Sequence, residues 1–98
     1  MSLSTLTEQI KQISAQHDLG ARVKFDLGED GVIFIDGTQQ PPVVDNVDRD
    51  AEVSVLVSER NLEKLLNGSL NAMTAFMMKK IKIEGNIGLA MKLGQMLS

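Results

Sequence analysis

A chain of 98 residues can bury roughly 60–65% of its unfolded surface, enough for one core without metal or disulfide staples. It has no cysteine, a formal charge of −3 and a pI near 5.0, which excludes disulfides, zinc–thiolate sites and thiol nucleophiles and tells against a general grip on phosphate backbones. Aromatic content is 3%, all of it phenylalanine, so the stacking platforms that hold single-stranded nucleic acid are missing too.

Leu3, Leu6, Ile10 and Ile13 recur at helical spacing, with Thr5–Glu8 as a capping box or Ser2 or Ser4 as first cap, and Gly20 as the stop. Val23, Phe25 and Leu27 then alternate with Arg22, Lys24 and Asp26, which predicts a half-buried strand. Gly28–Gly31 supplies a hairpin turn and Val32–Asp36 the returning strand. Gly37–Pro42 reads as a loop, Val43–Val47 as a short strand and Asp48–Asp50 as a turn.

Val53, Val55 and Val57 form another strand, and the apolar Leu56 between them predicts cover on both faces. Ser58 caps a helix through Leu62, Leu65 and Leu66 that stops at Gly68. Asn71 caps a short helix through Met73, Phe76 and Met77, and Ile81 and Ile83 alternate with Lys80, Lys82 and Glu84 in a last strand. Gly85-Asn86 turns the chain into a final helix. The pattern is a single α+β domain over residues 1–98, with about five strands in a mixed or antiparallel sheet.

The polar motifs are weak as chemistry. His17, the single histidine, falls in the apolar stripe near the end of the first helix, and no spacing gives it a nucleophile or metal partner. Asp48-x-Asp50-x-Glu52 opens like a calcium loop, but Val53 stands where such a loop needs glycine, so a solvated turn is preferred. There is no G-x-S-x-G elbow, dinucleotide fingerprint or P-loop. No enzyme, cofactor or metal is indicated, and a monomer is expected. With no signal pattern, no run of about 18 apolar residues and no S-K-L-type ending, a cytoplasmic location is expected.

The stretch from Ala75 to Leu97 is different. Five of the six methionines lie between Met73 and Met96, and methionine suits surfaces that adapt to ligands of varied shape. On the closing helix Ile87, Leu89, Ala90, Met91, Leu93, Met96 and Leu97 cover more than half the circumference, leaving one side to Gly88, Lys92, Gln95 and Ser98. Such a helix is either buried in a core or covers something apolar, and a terminal element can swing away at low cost. Lys79, Lys80 and Lys82 form the single basic cluster: a solvated face, or else a foothold for anionic head groups of a ligand or a membrane surface.

The run Ala75-Phe76-Met77-Met78-Lys79-Lys80-Ile81-Lys82-Ile83-Glu84-Gly85-Asn86-Ile87-Gly88-Leu89-Ala90-Met91-Lys92-Leu93 resembles the signature of the sterol carrier protein-2 (non-specific lipid-transfer protein) family, A-F-x-x-G-K-[LI]-K-[IV]-x-G-[DN]-x-x-L-A-x-K-L. Ser58–Gly68 resembles that family's short glycine-ended helix, and the likeness runs from about Gly20 to Leu97. It implies a sheet with helices on one face around an apolar tunnel, and a small hydrophobic partner: fatty acid, fatty acyl-CoA, sterol or another lipid. By that analogy and by apolar position, the tunnel residues are Phe34, Val55, Leu66, Met73, Phe76, Met77, Ile83, Ile87, Leu89, Met91 and Leu93. Lys79 replaces the family's glycine, which bears on backbone geometry there. Met78 replaces a common polar residue, which makes the tunnel wall more apolar and tells against recognition of a sterol hydroxyl.

Three roles compete: a non-catalytic lipid carrier covered by the C-terminal helix, an accessory module presenting a lipid or quinone-like intermediate to biosynthetic enzymes, and a small interaction domain with a filled core.

Overall fold

The protein is described by a computed structural model over residues 2–97; Ser98, expected on the polar side of the closing helix, lies outside the described residues. The first helix, α1 (Leu3–Ser14), is capped by Ser2, whose Oγ accepts the Thr5 N–H at 3.2 Å. It presents Leu6 and Ile10, both fully buried. The helix stops before Gly20, because the N–H groups of Gln16 and His17 reach back only three residues, to Ile13 and Ser14. His17 is thereby carried past the helix and stands exposed, not in the apolar stripe, and Ser14 is the buried polar residue instead.

After Gly20 (φ +63°) come β1 (Arg22–Asp26), a single 3-10 turn at Gly28–Asp30, and β2 (Val32–Asp36). The next strand, β3 (Val43–Asp45), ends two residues earlier than its valines suggest. Asn46 stops it by donating from Nδ2 to the Val32 carbonyl (2.8 Å) and to Thr7 Oγ1 (2.9 Å), which ties the loop to α1. Then follow β4 (Val53–Val57), α2 (Glu59–Leu66), α3 (Ala72–Met77), β5 (Ile81–Gly85) and α4 (Ile87–Leu97).

The five strands make one mixed sheet in the order β3-β2-β1-β4-β5, antiparallel except for the parallel pair β1–β4. Register sets the faces. Val23 lies opposite Ile35 and Val53, and Phe25 opposite Ile33 and Val55, so these side chains share the face that the helices cover. Leu6, Ile10, Leu62, Leu65, Leu93 and Met96 pack onto that face as one core.

The other face carries Arg22, Lys24, Asp26, Ser54, Leu56 and Lys82. Two-sided cover, expected at β4, occurs at β2: Val32 to Ile35 are all buried, whereas Leu56 is half-buried. The cover is the loop beyond β3. Arg49 lays its guanidinium 5.1 Å from the centre of the Phe34 ring and holds both oxygens of Asp45, at 2.8 and 3.0 Å. Lys24 Nζ reaches Asp48 at 2.8 Å. The acidic turn thus spends Asp45 and Asp48 on ion pairs that close over β1 and β2.

Gly85 makes the last corner. Its φ is +111°, and a Cβ there would stand 2.4 Å from the Glu52 carbonyl oxygen. Asn86 follows and caps α4, its Oδ1 accepting the Leu89 N–H at 3.1 Å.

Candidate functional site

The helix-covered face is filled at β1 and β2 and unfilled towards β5. Between β4–β5 below and α3–α4 above lies a cavity of about 330 Å³. Its floor is Phe25, Val55, Ile81 and Ile83, and Leu65 closes one end. One wall is the α4 stripe Ile87, Ala90, Met91 and Gly94, spaced i, i+3, i+4 and i+7. The roof is Met73 and Phe76 of α3. No Lys, Arg, Asp or Glu lines it among the described residues; Asn71 and Gln95 are its polar side chains.

The local sequence explains the space. Six-residue α3 buries only Ala75. It is held by its ends: Asn71 Oδ1 accepts the N–H groups of Met73 and Thr74 at 2.9 and 3.2 Å, and the C-terminus closes as a Schellman motif. There the N–H of Lys80 reaches the Ala75 carbonyl (2.8 Å) and that of Lys79 reaches Phe76 (3.1 Å). This motif needs a left-handed residue, and Lys79 supplies it at φ +60°, the one non-glycine with positive φ among the described residues. Across the cavity, a Cβ added to Gly94 would lie 3.6 Å from Ala72 Cβ, so the two helices approach closely at that end.

A second cavity of about 700 Å³ adjoins the first, sharing Leu65, Asn71, Ala72 and Leu97 with it. It is lined by amides and one imidazole (Gln12, Gln16, His17, Asn67) among aliphatic residues.

Several of the apolar residues have a double position. Met73 (58% exposed), Phe76 (46%), Ile87 (57%) and Met91 (57%) line the first cavity and also face solvent, so they form its mouth. Residues 3–98 match the model of the SCP-2 sterol transfer family. The chain belongs to the SCP-2 sterol transfer family. Among its relatives, sterol carrier protein 2 of Bos taurus is 43% identical over 51 residues, which span 52% of this chain and 9% of that protein. In fold, the chain is similar to the sterol carrier protein-2 of Aedes aegypti solved in complex with the C16 fatty acid palmitate. The two have a TM-score of 0.76 and 18% identity, and the match covers 100% of this chain and 97% of that one. It is also similar to the ubiquinone synthesis protein UbiJ-SCP2, at TM-score 0.72 and 12% identity over 96% of this chain and 90% of that one.

Of the residues that the SCP-2 likeness singles out, Val55, Met73, Phe76, Ile83, Ile87, Met91 and Leu93 line the cavity. Four do not. Phe34 points to the opposite face of the sheet, beneath Arg49, because Ile33 and Ile35 hold the inward parity of β2. Leu66 lines the second cavity instead of the first. Leu89 is half-buried against the core on the far side of α4. Met77, 74% exposed, points away from the roof, as does Met78 at 58%, so Met78 does not make the wall more apolar.

Phe25, Leu65 and Ile81 also line the cavity but read in sequence as plain core; the parallel β1–β4 pairing that brings Phe25 beside Val55 leaves no local signal. Ala90 and Gly94 were legible in the 3–4 spacing of α4, but small residues are easily passed over as lining. The closing helix, which forms one wall of the cavity, also places Leu93 (1% exposed) and Met96 (4%) in the core. No helix among the described residues is long and apolar enough to cross a membrane.

Proposed function

We propose that this chain is a non-catalytic carrier that takes the apolar part of a fatty acid, fatty acyl-CoA or other long-chain or isoprenoid lipid into the cavity between β4–β5 and α3–α4. The observation that carries this reading is the almost wholly apolar space of about 330 Å³ beside strands whose inward side chains are buried. The palmitate held by the Aedes aegypti relative supports it. The site takes a chain and leaves a charge outside: no ionised side chain lines it, so a carboxylate or phosphate is best left at the mouth, in water.

Burial of about ten methylenes, at about 0.8 kcal/mol each, gives on the order of 8 kcal/mol before ordering costs. That ceiling is near micromolar affinity, weak enough for release. The test is extraction of the purified protein and mass spectrometry of the extract, paired with displacement of a fluorescent fatty acid. Ile83→Trp, which fills the floor, should abolish uptake while leaving a cooperative thermal transition. Absence of lipid from the extract together with no uptake by the unmodified chain would sink the reading.

A second reading, an accessory module that presents a quinone-like intermediate to biosynthetic enzymes, is favoured by the likeness in fold to the ubiquinone synthesis protein. Affinity capture that recovers such enzymes in stoichiometric amount would favour it over a free carrier.

A further inference from the structure

The two edges of the sheet are finished differently. At one edge, β3 is three residues long, follows Pro41-Pro42 and is stopped by Asn46, so it offers little to another strand. At the other edge, β5 is five residues long and hydrogen-bonds on one side alone, to β4. Its outward side chains, Lys82 and Glu84, are exposed and lie opposite Leu56 and Ser54, so neither meets a charge across the strand pair. Among the described residues neither takes part in an ion pair. Lysine on an edge ordinarily keeps copies of a chain apart, because like charges come to lie opposite. Glu84 reverses this in one register.

A second copy of β5, added antiparallel about a two-fold axis perpendicular to the sheet, keeps the helices of both copies on one side, and the axis then passes beside one residue of the strand. With the axis at Lys82 or at Glu84, that charge faces itself. At Ile81, Lys80 faces Lys82, and at Gly85 no unlike pair forms. At Ile83, Lys82 of each copy faces Glu84 of the other, Lys80 faces Asn86, and all five residues of the strand are paired. We propose that this chain forms a symmetric dimer by antiparallel pairing of β5 with β5 of a second copy, centred on Ile83 and matched by two Lys82–Glu84 pairs. The two sheets then run on as one. Ile83, on the cavity floor, stands at the axis, so the two cavities become neighbours. Pairing of this kind replaces the expected monomer and goes beyond the carrier reading, and its test uses no lipid.

A strand pair of this length is a small interface of the weak, transient class, so the test is sedimentation velocity of the full chain from about 10 µM to about 1 mM. The expected result is a monomer–dimer equilibrium within that range. Lys82→Glu and Glu84→Lys each set like charges opposite at both ends of the pairing and should each weaken dimerisation by about tenfold or more. Mixed in equal amounts, the two variants should associate at least as tightly as the unmodified chain, because the acidic strand of one then faces the basic strand of the other. Both positions are exposed, and recovery on mixing separates lost pairing from lost folding. A chain that stays monomeric throughout, a dimer that neither variant weakens, or two variants that do not associate on mixing overturns the proposal.

Discussion

The two halves of the sheet are built from the same alternating apolar pattern and end up in opposite conditions. Around β2 the chain is covered twice, by α1 on one face and the Arg49 loop on the other, and Val32 to Ile35 are all buried. Around β5 only Ile81 is buried, and the helix that should complete the cover, α3, buries a single alanine. The difference lies in the length and tethering of the covering element. Twelve-residue α1 reaches across its strands, whereas six-residue α3 bridges a gap it cannot fill. The sheet thus keeps its filled core towards β2 and its empty volume towards β5.

The sharpest way to break this comparison is to truncate one residue on each side. Ile33→Ala, at a fully buried position, should lower unfolding free energy by about 3 kcal/mol in urea titration. Met91→Ala, on the cavity wall and 57% exposed, should cost less than about 1 kcal/mol and should weaken fatty-acid binding instead. Equal losses of stability would mean that the cavity wall is ordinary core.

Next in size is the cap that holds α3. Asn71→Ala removes the acceptor for two N–H groups and should cost about 1 kcal/mol, with amide exchange rising first in α3. Lys79→Gly should act in the other sense. It relieves a left-handed backbone at φ +60° and should raise stability by about 1 kcal/mol, measured by the shift in urea midpoint.

The smallest effect belongs to the filled side. The Arg49 guanidinium, helped by the Val47 N–H, holds the Asp45 carboxyl below the ordinary carboxylate range against the opposing pull of burial. The Thr38 hydroxyl does the same to Asp36. A carboxyl depressed on folding stabilises above the unfolded value of about 4, and that stability is lost as pH falls through the folded value. Acid should therefore loosen the Arg49 loop before the cavity side. Asp45→Asn should flatten stability below about pH 4, by less than about 1 kcal/mol because the pair is solvent-screened.

Most of the fold was legible because each element carries a local cause. Ser2, Ser58 and Asn71 are caps whose side chains accept helix N–H groups, and the alternation in β1, β4 and β5 decides which residues face the helices. Parity failed where alternation was absent. Val32, Ile33, Phe34 and Ile35 are apolar in sequence without a gap, so nothing local says that Phe34 faces outward; a loop more than ten residues further on decides it. Apolar periodicity carries the first helix on to the first glycine, whereas shorter hydrogen bonds end it earlier and leave His17 outside it. The cavity itself is a relation among four elements, and sequence displays only their inner faces. The Gly94–Ala72 approach, which belongs to two helices more than twenty residues apart, has no sequence signature.

The manner in which α3 is fastened has a kinetic consequence. Both ends are closed by hydrogen bonds to its own backbone, from the Asn71 side chain and within the Schellman turn, while Ala75 is the one residue it buries and Ala72 packs beside Gly94. A segment so fastened opens as a unit, at a free energy below that of global unfolding. Its amides should exchange together and in step with ligand departure. Under the carrier reading, the dwell time of a bound chain follows how often this segment opens, and a single methyl added or removed at position 75 becomes a clock adjustment.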